Sequence, residues 1–105
     1  MTDKIVVFST CGSEEEAHRL AAALIERRLA ACVNIPAPVT SVYRWKGVVE
    51  RTQEWMLLIK SRRELLPKLR EVLESAHSYE LPEVLAMPVI DGSPTYLAWL
   101  DAETQ

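Results

Sequence analysis

Cys11, Cys32, His18, His77 and the group Lys60, Tyr79, Glu80 and Glu83 are the side chains whose types and spacing are fit for chemistry. The segment Ser9-Thr10-Cys11-Gly12-Ser13 reads as the loop between a strand and a helix N-terminus. Oriented backbone N–H groups there favour anions and lower a thiol's pKa. A nucleophilic Cys11 also needs a base, and the two histidines are the only imidazoles available. The plainer reading, which we prefer, is a tight turn plus a helix cap, with each cysteine a small hydrophobe. Brought together, the Cys11 sulfur and the His77 imidazole form a soft pair suited to copper. The sequence holds no Cys-x-x-Cys or His-x-x-x-His spacing, and no Gly-Lys-Ser/Thr follows the loop, which excludes a P-loop. Lys60, His77, Tyr79, Glu80 and Glu83 form either a small polar pocket or a salt-bridge network at a subunit boundary.

The elements that must position these residues follow from periodicity. Residues 5–10 are apolar and β-branched and predict a buried strand. Ser13 with Glu16 predicts a capping box, and apolar residues at helical spacing carry that helix to Leu29, with Arg27 and Arg28 in its last turn. Residues 32–35 begin a second strand, which Pro36 and Pro38 interrupt and residues 39–45 resume. After a tight turn at Lys46-Gly47, residues 48–60 predict a long third strand. Ser61 and Glu64 resemble a second capping box, ahead of a helical face of Leu65, Leu69, Val72, Leu73 and Ala76 disturbed by Pro67. A loop at 77–82 leads to a fourth strand at 84–87, and Ser93-Pro94 starts a short last helix. The order β-α-β-β-α-β plus a terminal helix is the ferredoxin-like α+β arrangement, an antiparallel sheet with helices on one face.

Composition bounds the rest. The 105 residues, 49% hydrophobic and 26% charged, suit one folded domain spanning 1–105. A net charge of -3 without a basic tract argues against nucleic acid. The longest apolar run, Met56-Leu57-Leu58-Ile59, is far short of a membrane span, and the N-terminal residues lack a signal-peptide pattern. A cytoplasmic location is the expectation, with two free thiols. Cys11 and Cys32 bracket a helix roughly 25 Å long at 1.5 Å per residue, too far for a disulfide.

The third strand would reach roughly 40 Å at ~3.3 Å per residue, twice the first and fourth. Its far part has only the second strand beside it. Such a ribbon is marginal alone, and its edges invite pairing with another chain. Tyr43, Trp45, Val48 and Trp55 make this hairpin apolar, so it is read as an assembly device.

Five blocks together carry a resemblance. They are Ala30 to Ile35, Ser41 to Gly47, Leu58 to Ser61, His77 to Val84 and Tyr96 to Leu100. In order and spacing the chain resembles the CutA family of divalent-cation tolerance proteins. The resemblance implies a ferredoxin-like homotrimer whose subunits extend one another's sheets. It implies a link to tolerance of divalent metals, copper above all, and no enzymatic activity or organic cofactor. The family's metal-binding cysteine falls on Ser9, with Cys11 two residues later, and its His-His pair falls on Ala76 and His77. Cu²⁺ or another divalent cation held by His77 and Cys11 is thus what the resemblance implies, alongside an unidentified protein partner.

Three rivals share the fold. A trimeric PII-type sensor of a small ligand would want a long effector loop where Lys46-Gly47 stands. An acylphosphatase-like enzyme would want an arginine within residues 9–13, which contain none. An RNA-recognition domain would use aromatics such as Phe8 and Trp55, against the wrong net charge.

Overall fold

The computed structural model describes residues 2–105. Five strands and three helices follow in the order β1 (Lys4–Cys11), α1 (Glu14–Glu26), β2 (Cys32–Asn34), β3 (Val39–Trp45), β4 (Val48–Arg62), α2 (Leu66–Ala76), β5 (Leu85–Pro88) and α3 (Pro94–Ala102). The sheet is antiparallel in the order β2-β4-β1-β5, with β3 also paired to β4, which is the ferredoxin-like arrangement with its second strand in two pieces.

Alternation fixes which face is buried. Ile5, Val7, Ser9 and Cys11 of β1 stand opposite Ser61, Ile59, Leu57 and Trp55 of β4 and point to the helices. Leu20 and Leu24 of α1 and Leu69 and Leu73 of α2 close over them, all under 2% exposed. The other face is open along its middle, while at one end Asp101 and Thr104, in and just after α3, bond Lys4 and Arg62. Val6, Phe8, Met56 and Leu58 are half-buried there, and Leu85 and Met87 are exposed.

The long strand divides in two. Trp55 to Arg62 pair with β1, and Val48 to Glu54 pair only with β3. The hairpin therefore projects, and the molecule measures 45 × 25 × 24 Å. Its 14.3 Å radius of gyration exceeds the roughly 13 Å expected of a compact chain this long. Val42, Tyr43, Trp45, Val48 and Val49 are exposed on the projection. Trp55, grouped with them in the sequence, lies instead across from Cys11 and packs against the core. The turn places Lys46 at φ 50° and Gly47 at φ 84°, a two-residue turn whose twist matches that of the strands.

Two helix boundaries differ from the sequence expectation. α1 stops at Glu26 because Arg28 turns left-handed (φ 58°) and the Leu29 N–H donates back to the Leu24 carbonyl. That reversal buries Leu29 and takes Arg27 and Arg28 out of the last turn. Ser61 caps nothing. β4 runs on through it, and its buried hydroxyl donates to the Leu29 carbonyl at 2.6 Å. Glu64 pairs with Arg62, a 3₁₀ turn follows, and α2 starts at Leu66 with Pro67 in its first turn.

Candidate binding cleft at the root of the hairpin

The loop after α2 is tied to the end of β1 by His77. Its wholly buried imidazole donates Nε2–H to the Thr10 carbonyl at 2.7 Å, and Nδ1 accepts the Tyr79 N–H at 3.0 Å. A carbonyl only accepts and an N–H only donates, so these partners select the neutral Nε2–H tautomer and use both ring nitrogens.

Glu16 completes the tie. Ser13 does cap α1, accepting from the Glu16 N–H at 3.1 Å. The Glu16 carboxylate turns to the loop, where it accepts the Ser78 N–H at 2.8 Å and the Ser78 hydroxyl at 2.9 Å. Burial pulls this carboxyl upward, but the Ser78 bonds outweigh it and leave it below its ordinary value.

So held, the loop carries Tyr79 over Gly12 and against β4. The Tyr79 hydroxyl donates to Glu54 Oε2 at 2.7 Å. Burial, then this bond to a carboxylate, pushes the phenol upward, so it remains a donor. Beside it opens a cleft of about 770 Å³ between β3 and the loop, lined by Thr10, Tyr43, Trp45, Glu54, Tyr79 and Glu83 among others. Burial and the Glu54 charge both raise the Glu83 carboxyl.

Of the residues expected to share a pocket, Tyr79, Glu80 and Glu83 converge here, and Glu80 lies at the rim 3.9 Å from Lys46. Lys60 does not join them. It sits opposite Val6 and Cys32, six residues and ~20 Å along β4 from Glu54. There its ammonium pairs with the Asn34 side chain and lies 3.9 Å from Cys32 Sγ. Glu54 and Glu16 were not foreseen as site residues. The signal for Glu54 was a lone carboxylate abutting the Trp55 to Ile59 apolar run; Glu16 was masked by its fit to a capping box.

Cys11 is fully buried, and its thiol donates to the Ser13 carbonyl at 3.4 Å. Burial pushes the thiol up, which removes the activation a nucleophile needs. His77, after α2, bonds the Thr10 carbonyl next to Cys11, but its Nδ1 lone pair is already engaged by the Tyr79 N–H. Among the described residues no three His, Cys, Asp or Glu side chains are grouped to hold a metal ion. His18 is exposed on α1, 4.0 Å from Glu14.

Comparison with known proteins agrees with this architecture. The family profile described as CutA1 divalent ion tolerance protein matches residues 5–103. The chain is 48% identical over 99 residues to the divalent-cation tolerance protein CutA of Thermus thermophilus, covering 94% of this chain and 96% of that one. A solved structure from that organism gives a TM-score of 0.94 at 46% identity, covering 97% and 99% of the two chains. Protein CutA of Mus musculus is 45% identical over 98 residues, 93% of this chain, which spans about half (55%) of the mouse protein's length. A structure of an Archaeoglobus fulgidus CutA, described as periplasmic, gives a TM-score of 0.94 at 35% identity over 97% of this chain and 99% of its own.

Proposed function

Because the chain belongs to the CutA1 family of divalent ion tolerance proteins, we propose that it serves divalent-cation tolerance, including that of copper, as a cytoplasmic homotrimer that binds rather than converts its ligand. The observation that carries this reading is the projecting hairpin. Tyr43, Trp45, Val48 and Val49 leave an apolar ribbon with one neighbour on each strand, beside a sheet face that the helices leave open. Burying one such tryptophan contributes a few kcal/mol. Three copies laid round the open faces cover both surfaces at once.

The test is complementation. A copper-sensitive strain lacking its own copy should regain growth with the wild-type chain and not with the Val48→Glu/Val49→Glu variant. Equal rescue by both would separate tolerance from assembly and sink the proposal. Fractionation of the same cells tests the compartment: recovery in the periplasm contradicts a cytoplasmic role.

A second reading is a trimeric PII-like sensor or scaffold that works without bound metal. The engaged His77 nitrogens and the open cleft favour it. Calorimetric titration with Cu²⁺ on wild type and His77→Ala decides between them. Direct coordination through His77 predicts a lost or weakened site in the variant, and identical curves remove His77 from any metal role.

A further inference from the structure

A two-stranded ribbon is marginal without support, and the projecting hairpin receives support from the loop after α2. Glu54, opposite Val39, is where β4 leaves β1 and continues with β3 alone. The Tyr79 hydroxyl donates to Glu54 Oε2 at 2.7 Å, so this bond lands on the root of the hairpin. At the far turn, Lys46 lies 3.9 Å from Glu80 of the same loop. Both side chains are exposed there, and the pair contributes little by itself. It does show that the loop follows the hairpin beyond its root.

A support must itself be held, and this loop is held from inside the subunit. Arg19 of α1 donates to the Ala76 carbonyl at 3.4 Å and lies 3.8 Å from Glu16. His77 joins the Thr10 carbonyl to the Tyr79 N–H, and Glu16 takes both the Ser78 N–H and the Ser78 hydroxyl. Three successive residues, Ala76, His77 and Ser78, are thus pinned to α1 and β1, and Tyr79 follows them directly. The pinning side chains are internal: His77 is wholly buried and Glu16 is 7% exposed. Changing either removes no contact with a neighbouring copy. A segment already ordered in the free subunit loses less freedom on association, which strengthens the complex.

We propose that the loop from His77 to Glu80 is a strut that fixes the direction of the hairpin before assembly. His77 and Glu16 are its positioning residues, acting through Tyr79 on Glu54. The proposal rests on the trimer reading above and adds the device that prepares the assembling surface.

Subunit exchange between isotope-labelled and unlabelled protein, followed by mass spectrometry of the intact assembly, tests it. His77→Gln and Glu16→Gln should exchange subunits at least tenfold faster than wild type. Tyr79→Phe, which removes only the hydroxyl bonded to Glu54, should do the same. Val7→Ala, a core change opposite Ile59, separates the strut from a general loss of stability and should stay within twofold of wild type. Should His77→Gln or Glu16→Gln fail to fold, Tyr79→Phe carries the test. Wild-type exchange in the folded Tyr79→Phe protein overturns the strut while the trimer stands. Exchange as fast in Val7→Ala as in Tyr79→Phe also overturns it. A wild-type chain that is a monomer overturns the strut and the trimer together.

Discussion

The two halves of β4 differ in everything but backbone conformation. From Trp55 to Arg62 the strand has β1 on one side and β2 on part of the other, and Leu57 and Ile59 are fully buried. From Val48 to Glu54 it has β3 alone, and Val48 and Val49 are 57% and 60% exposed. The first half is finished within the subunit and the second is not. One continuous strand thus serves folding at one end and, in the function proposed above, assembly at the other, and Glu54, where the halves meet, lines the cleft.

The sharpest way to break that contrast is to damage each half separately. Leu57→Ala should cost about 2–5 kcal/mol of stability in urea unfolding, through lost burial and a cavity, with the assembled mass unchanged. A cost below ~1 kcal/mol would mean the inner half is not the folding half. His77→Ala comes next. It strips partners from the Thr10 carbonyl and the Tyr79 N–H, each worth roughly 1–3 kcal/mol when buried and left unpaired. Hydrogen exchange should show the loop from Ser78 to Glu83 opening while the Leu57 to Ile59 amides remain protected.

Acid separates the regions further. The Glu16 carboxyl lies below its ordinary value of 4.5 when folded, so its contribution is complete above that value and fades as pH falls through the lower folded value. Glu83 lies above its ordinary value, so it opposes folding at neutral pH and ceases to do so as acid protonates it. Glu16→Gln should therefore flatten the acid limb of the stability curve, and Glu83→Gln should raise the neutral plateau. A smaller effect is expected at Ser9, whose buried hydroxyl has no partner among the described residues. Ser9→Ala should leave stability unchanged or raise it by up to ~1 kcal/mol, measured by thermal melting.

The inner half of β4 was legible because β-branched runs, alternation and turn residues all act over a few neighbours. Ser13, Pro94 and Lys46-Gly47 announced their elements for the same reason. The end of α1 was not, because Arg28 enters the left-handed region to bury Leu29, a tertiary gain that outweighs local preference. Ser61 imitated a cap while its hydroxyl served Leu29 from another element. In the site, Tyr79 and Glu83 share one short loop and were found together. Lys60 was misplaced because only the pairing of β1 with β4 sets how far along the strand the loop lands. Glu54 was missed because one carboxylate in an alternating strand looks solvent-facing until Tyr79 covers it.

Sedimentation equilibrium at micromolar concentration asks whether further copies complete the outer half of β4. The wild-type chain should sediment at three times the 11.9 kDa subunit mass, falling to a single subunit in Val48→Glu/Val49→Glu with its circular dichroism retained. A wild-type protein that sediments as a monomer would contradict assembly through this half.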